Sequence, residues 1–263
     1  MLNITDSEQE QKIPAFFRLG FRPMFLSAGI FSVVAIALWA LTLNGQLLFQ
    51  PFNNSLWWHG HEMLFGFVVA IIVGFLLTAV QTWTGQPGLR GGPLVLLWSV
   101  WLLARLLLAL NLSVVPVALI IVVDLSFIPL ATFFLAKPIL AVKQYRNFIF
   151  VPMLLFLTVC NGVTYLEVHS GGMLYFKQGI YAAIMFITLI MVIMGGRVIP
   201  FFTANGTKTP RKNKIPLIEW SSLISVGLIA LAYLANLWAD LQYAYFFALL
   251  FVVAGVSNLI RFS

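Results

Sequence analysis

The sequence predicts an all-α fold, a polytopic transmembrane bundle of about eight helices. Of its 263 residues, 61% are hydrophobic and only 9% are charged, whereas a soluble domain carries about 25% charged residues. The mean hydropathy is +0.99. A soluble fold of this length has too little interior to bury so much apolar surface. The chain is therefore predicted to lie in a lipid bilayer.

About twenty apolar residues cross a bilayer as a helix. The apolar stretches here are too long and unbroken for the strands of a barrel. The predicted spans are residues 21–43, 61–82, 93–110, 113–136, 147–169, 178–203, 216–238 and 241–260. Residues 1–20 lack the basic start and short apolar core of a signal peptide. They are predicted to form a cytoplasmic tail before a transmembrane domain of residues 21–263.

The basic residues predict the orientation of the bundle. With the N-terminus in the cytoplasm, twelve of the 15 Lys and Arg residues fall on the cytoplasmic side, and only Lys177 falls outside. Arg105 and Arg197 lie within spans. Cytoplasmic loops are enriched in Lys and Arg, so both termini are predicted to be cytoplasmic. The net charge of +7 then reflects membrane orientation and does not indicate a nucleic-acid partner.

A polar stretch lies at the predicted outer end of the second span. It holds two of the three histidines, His59 and His61, followed directly by Glu62. Ionisable side chains are costly at the mouth of a membrane helix, so they indicate a functional site. Imidazole suits iron, copper or zinc, and Glu62 could ligate a metal or orient a histidine. The alternative is an aromatic belt with polar neighbours, since Trp57 and Trp58 come just before.

Helix geometry limits how the two histidines can cooperate. Residues two apart lie about 200° apart around a helix, so His59 and His61 cannot face one centre from within it. The span is therefore predicted to begin near His61, with His59 in the preceding turn. The open alternative is that each histidine serves a different centre.

The fifth span ends in a polar stripe. Asn161, Tyr165 and His169 are four residues apart and share one helix face. His169 is predicted to reach the same outer side as the other two histidines, which makes it a candidate to join them. An exposed loop histidine is the alternative.

Small residues recur on one face of the second span at Gly66, Ala70 and Gly74. Such a row lets another helix backbone or a flat ligand approach closely. A helix-packing groove is predicted, with Glu62 at its outer end.

Two charged residues within the spans are predicted to meet. Arg105 and Asp124 lie on antiparallel neighbours joined by a short turn, and the helical rise brings them to similar depths. A structural ion pair is favoured over a proton or substrate path. In the sixth span, Gly195, Gly196 and Pro200 are predicted to break the helix, beside Arg197.

The remaining features exclude some functions. Cys160 is the single cysteine, which rules out an intrachain disulfide, and it is predicted to be a small buried hydrophobe. No serine, cysteine or carboxylate pair shows a catalytic spacing, so any chemistry would be carried by a metal centre. A weak similarity between residues 74–78 and 196–200 predicts two repeats of four helices.

Four blocks of sequence together resemble the NnrS family of bacterial inner-membrane proteins. They are FRPMFL at 21–26, WHGHEMLFGF at 58–67, GFLLTAV at 74–80 with WTG at 83–85, and GRVIPFFT at 196–203. The family is described as containing haem and copper and as linked to nitric oxide metabolism and nitrosative stress. Members typically have about twelve spans, so the resemblance predicts a short or C-terminally truncated member.

The resemblance implies haem and copper as cofactors, nitric oxide or a related small ligand as partner, and the bacterial inner membrane as location. It identifies His59, His61 and Glu62 as the family's outer histidine motif and Arg197 with Pro200 as a second signature. His169 stays a ligand candidate beside them. Arg105, Asp124 and Arg197 are candidates for a structural role or for holding an anionic group such as a propionate. Whether the chain is an enzyme does not follow, and two alternatives stand: a transporter or channel, and a membrane sensor or assembly factor.

Overall fold

A computed structural model describes residues 11–168, 172–210, 215–239 and 241–262, and these residues form helices and no strand. The helices are α1 Phe21–Leu43, α2 Ser55–His61, α3 Val69–Thr84, α4 Gly92–Leu110, α5 Val117–Ala141, α6 Tyr145–Phe148, α7 Phe150–Thr164, α8 Leu174–Thr207, α9 Pro216–Leu234 and α10 Ala244–Phe262. A π-helical segment, Glu62–Val68, joins α2 to α3. Short 3-10 turns lie at Ala15–Phe17, Leu237–Ala239 and Leu241–Tyr243.

The predicted fold class is confirmed. Within the described part of the chain, eight helical stretches are long and apolar enough to cross a membrane. The stretch Ser55–Thr84 combines α2, the π-helical segment and α3, and Tyr145–Thr164 combines α6 and α7. Side chains such as Ile30 and Val33 of α1 are 59% and 69% exposed, which suits a surface that faces lipid.

The predicted start of the second span is wrong. The helix begins at Ser55 because Asn54 caps it: the Asn54 side-chain oxygen accepts a hydrogen bond of 2.9 Å from the Trp57 backbone N–H. Such a cap satisfies a donor that the first helical turn leaves without a partner. His59 therefore lies within α2 and not in a turn before it. The fifth span is predicted to end at residue 169. In the structure α7 ends at Thr164, and His169 lies outside the described residues.

The chain divides into two compact units, Met1–Val168 and His169–Ser263. The first contains five of the spans and the second contains three. The boundary thus follows the fifth span, whereas the predicted repeat divides the chain after the fourth. The repeat of four helices stays a prediction.

In the first unit, the row of small residues on the second span forms a packing seam. A Cβ atom on Gly74 would lie 2.8 Å from the Met24 Cβ and 3.1 Å from the Phe25 ring, so α1 lies directly against this glycine. Ala70 is fully buried. At the far end of the seam, the Thr78 hydroxyl accepts a hydrogen bond of 2.9 Å from the Phe21 backbone N–H. The predicted groove is filled by the chain's own side chains over this length.

A side chain from α4 contacts the backbone of the π-helical segment. The indole Nε1 of Trp101 in α4 donates a hydrogen bond of 2.8 Å to the carbonyl oxygen of Gly66, and the Trp101 side chain is buried. A π-helical turn interrupts the regular pattern of backbone hydrogen bonds. A neighbouring side chain can then donate a hydrogen bond to a backbone carbonyl in the turn. Trp101 thus joins α4 to the middle of this segment.

Replacing Trp101 with phenylalanine is expected to lower the free energy of unfolding by about 2–4 kcal/mol, since one buried hydrogen bond is lost and the smaller ring leaves a cavity. Unfolding in mixed micelles would measure this change. Trp98→Phe is the matched control on the same helix. It removes a part-buried hydrogen bond of 2.8 Å to the Ser27 hydroxyl and should lower the free energy of unfolding by less than Trp101→Phe does. An equal cost for both variants would contradict the role given to Trp101.

In the second unit, the predicted break in the sixth span is wrong. Helix α8 runs continuously from Leu174 to Thr207 and includes Pro200. A proline removes one backbone hydrogen bond, which membrane helices tolerate when neighbouring helices hold them. Here α8 packs against α9 and α10.

The glycine at position 196 serves packing in this unit. A Cβ atom there would overlap the Arg261 guanidinium, so the absence of a side chain makes room for Arg261. That guanidinium donates hydrogen bonds of 2.7 and 2.6 Å to the two carboxylate oxygens of Glu219. It also donates one of 2.9 Å to the Val192 carbonyl. Arg261 therefore ties together the three long helices of the second unit.

Candidate functional site

Six polar side chains meet in the interior of the first unit, and we call them the buried polar cluster. They come from the end of α2, the start of the π-helical segment, α4, α5, α7 and the residue that follows α7. Each is between 0% and 7% exposed. The members are His61, Glu62, Arg105, Asp124, Asn161 and Tyr165.

Arg105 lies between the two carboxylates of the cluster. Its Nη1 donates a hydrogen bond of 2.8 Å to Glu62 Oε1, and its Nη2 donates to Asp124 Oδ1. The predicted pairing of Arg105 with Asp124 is present, and Glu62 is a second partner that the sequence did not indicate. Buried charges are stable only when they are paired, and here one guanidinium serves two anions.

Asp124 is the most connected member of the cluster. Besides Arg105, its Oδ2 accepts hydrogen bonds of 2.8 Å from the Asn161 side-chain amide and 2.9 Å from the Tyr165 hydroxyl. Tyr165 follows the last residue of its span. Burial and the nearby Asp124 carboxylate raise the pKa of this phenol well above its ordinary value, so the hydroxyl stays protonated and donates.

His61 is held at both ring nitrogens. Nδ1 lies 3.2 Å from Glu62 Oε1, while Nε2 lies 2.7 Å from Asn161 Oδ1 and 3.3 Å from Asp124 Oδ2. All three neighbours are oxygen acceptors, so making both contacts requires a proton on each nitrogen. A ring held in this way has no lone pair available for a metal ion.

An indole fixes the plane of the His61 ring. Trp57 stacks on it with a centroid distance of 4.5 Å and an interplanar angle of 11°. The Trp57 Nε1 donates a hydrogen bond of 2.9 Å to the Thr164 carbonyl at the end of α7. The pair therefore couples the end of α2 to the end of α7, where Asn161 and Tyr165 join the cluster.

Gly66 is the point at which the cluster touches the backbone of the second span. A Cβ atom there would lie 2.5 Å from Arg105 Nη1, 2.9 Å from Glu62 Oε2 and 3.0 Å from the Phe31 ring. Only glycine leaves the guanidinium enough room to reach Glu62. The outer end of the predicted groove is thus occupied by Arg105.

His59 faces away from the cluster. Its ring stacks on Trp39 of α1 with a centroid distance of 3.8 Å and an interplanar angle of 6°. Its Nδ1 is buried and has no hydrogen-bond partner among the described residues. Nε2 is neither enclosed nor hydrogen-bonded within that same part of the chain. The two histidines thus have separate surroundings, in line with their spacing on one helix.

Two further sequence candidates are Arg197 and His169. Arg197 is half-buried in α8 of the second unit, and His169 is outside the described residues. Cys160 is fully buried, as predicted. Among the residues that the structure describes, no group of three His, Cys, Asp or Glu side chains is arranged to hold a metal ion.

Sequence reasoning missed several members of the site. The sequence predicts Asn161 and Tyr165 only as a stripe leading to His169, although both reach Asp124. It predicts no role for Trp39 or Trp101. One signal was available for Trp101: it lies four residues before Arg105, so both project from one face of α4 toward the π-helical segment.

A family model described as NnrS protein matches residues 15–263. No curated protein and no solved structure matches the chain.

Proposed function

This chain belongs to the NnrS family, and from that premise we propose that it is a haem- and copper-associated membrane protein. Its role would lie in nitric oxide metabolism or in resistance to nitrosative stress. We place it in the inner membrane of a bacterium with both termini in the cytoplasm, which the distribution of Lys and Arg supports. Nitric oxide or a related small molecule would be its ligand.

The surroundings of the two histidines favour His59 as the haem ligand. His59 has an accessible Nε2 without a hydrogen-bond partner among the described residues, and imidazole is a common axial ligand of haem iron. His61 is engaged at both nitrogens by oxygen acceptors. This difference between the two rings is the observation that carries the proposal.

His61 and its partners have a different role in this proposal. The buried polar cluster anchors the end of α2 through Glu62 and Arg105, and thereby holds His59 at a fixed position one turn away. It also keeps two carboxylates paired and enclosed. The haem, when bound, would supply an iron that binds nitric oxide. The chain's own residues orient the ligand and maintain the helix that carries it.

Copper is assigned to no residue. A copper ion needs several nitrogen or sulfur ligands, and the described part of the chain holds no group of three candidate ligands. His59 alone is insufficient, and His61 would have to give up its present hydrogen bonds.

The transporter alternative is less well supported by the first unit. The buried residues of α3 are Val69, Ala70, Val73, Gly74, Leu76, Leu77 and Val80. All are apolar, so the described face of α3 offers no continuous polar path beyond the buried polar cluster. A transport pathway needs polar groups or water along its length.

The test is the optical spectrum of the purified full chain in detergent with added haemin. We expect a Soret band in the wild type that shifts when nitric oxide is added. His59→Ala should weaken haemin binding by at least the 10–100-fold seen on losing an outer-shell partner. His61→Ala should lower the melting temperature, while the folded fraction still binds haemin.

Two results would contradict the proposal. One is a wild-type protein with no Soret band and no copper by elemental analysis. The other is a His59→Ala variant that binds haemin as tightly as the wild type.

A further inference from the structure

His59 lacks the contact that usually orients a metal-binding histidine. Such a histidine nearly always donates its second ring N–H to a carboxylate, a carbonyl or a water, which fixes the tautomer and the ring plane. The Nδ1 of His59 is buried and has no such partner among the described residues. The ring must therefore be held in another way if it is to ligate.

Trp39 provides that hold. Its indole lies parallel to the imidazole, at an interplanar angle of 6° and a centroid distance of 3.8 Å. Stacked aromatic rings attract through dispersion and through burial of their apolar faces. Trp39 belongs to α1 and His59 to α2, so the contact joins two helices and restricts rotation about the His59 side-chain bonds.

We propose that Trp39 is a positioning residue, which holds His59 by stacking so that Nε2 can bind the iron of a haem. This inference rests on the proposed function. It gives a role to a residue outside all four sequence blocks that carry the family resemblance. It also predicts a weakly donating ligand, because no acceptor at Nδ1 strengthens the donation from Nε2.

The two histidines provide an internal comparison. Each ring stacks on a tryptophan, His61 on Trp57 and His59 on Trp39. Only His61 also has carboxylate neighbours at its nitrogens. Among the described residues, the Trp39 stack is the contact that orients the His59 ring, so losing a tryptophan should change ring orientation more at His59 than at His61.

The first measurement needs no cofactor. The chain has three histidines, and their ring resonances can be assigned in detergent by labelling histidine and replacing each in turn. The His59 ring protons should show an upfield ring-current shift. Trp39→Leu, which keeps apolar bulk but has no flat ring, should remove the shift, and Trp39→Phe should keep most of it. A His59 resonance that does not move in Trp39→Leu would overturn the stack.

The second measurement is a haemin titration followed by the Soret band. Trp39→Leu should weaken binding about 10–100-fold, as for loss of an outer-shell partner, while Trp39→Phe should stay within about threefold of the wild type. Trp98→Leu is the matched control, since Trp98 packs near the opposite end of α1 against Phe16 and Phe17. It should leave haemin binding unchanged.

The outcomes separate the two proposals. No Soret band in the wild type defeats the proposed function and this inference together. A wild-type Soret band that persists with unchanged affinity in Trp39→Leu defeats only the positioning role. Weakening by Trp98→Leu to the same degree also defeats it, because the effect would then reflect general destabilisation.

Discussion

Replacing Arg105 with methionine is expected to destabilise the first unit by about 3–5 kcal/mol, the cost of leaving buried charges without their partner. Glu62 and Asp124 are 0% and 2% exposed, and both depend on the Arg105 guanidinium. Methionine keeps an unbranched side chain but cannot compensate either carboxylate. Since native stabilities are commonly about 5–15 kcal/mol, this variant should be poorly folded.

Unfolding in mixed micelles, with size-exclusion chromatography to check for aggregation, would measure the effect. The matched control carries Glu62→Gln and Asp124→Asn together with Arg105→Met, so that no buried carboxylate is left without the guanidinium. It should recover a large part of the lost stability. Arg105→Lys keeps the charge but cannot reach both carboxylates with a planar fork, so its stability should lie between the two. A fully stable Arg105→Met variant would show that the buried polar cluster does not stabilise the fold.

Replacing Gly66 with alanine is expected to cost about 3 kcal/mol, at the upper end of the effects of overpacking. The added Cβ would lie 2.5 Å from Arg105 Nη1 and 2.9 Å from Glu62 Oε2. A flexible side chain could move aside. The guanidinium cannot do so easily, because Glu62 and Asp124 hold it on two sides.

The controls for this variant are alanine substitutions at two other helical glycines of the first unit. Gly162 in α7 and Gly29 in α1 have no neighbouring atoms within 4 Å of an added Cβ. Both substitutions should be neutral or slightly stabilising, since alanine favours helix more than glycine does. Equal destabilisation at all three positions would contradict the assignment of Gly66 to the cluster.

The fold class followed directly from composition and hydropathy. An apolar stretch of membrane length has few structural options, which is why the number of spans was predicted correctly. The boundaries depend on finer contacts. The cap at Asn54 starts α2 six residues before the predicted start of the span at residue 61, and α8 continues through Pro200 because other helices support it. Neither contact is visible in a hydropathy profile.

The site was predicted in part. The depth of Arg105 and Asp124 could be inferred from the short turn between their helices, and the ion pair is present. That Glu62 joins the pair depends on how α4 rotates against the second span, which the sequence does not specify. The separation of His59 from His61 could be expected from helix geometry. Their different partners could not, because Trp39 and Asn161 are distant from both in sequence.

The π-helical segment also changes the direction in which the side chains at the two ends of the second span point. One extra residue in a turn offsets the rest of a helix by about 100° relative to a regular α-helix. The faces of α2 and α3, on either side of Glu62–Val68, are therefore offset by about 100° from the positions they would have on one regular helix. When α3 packs against α1, the π-helical segment thus determines the direction in which His59 and His61 point. If the same residues formed one regular α-helix, His59 and His61 would be rotated by about 100° relative to α3, away from Trp39 and Asp124.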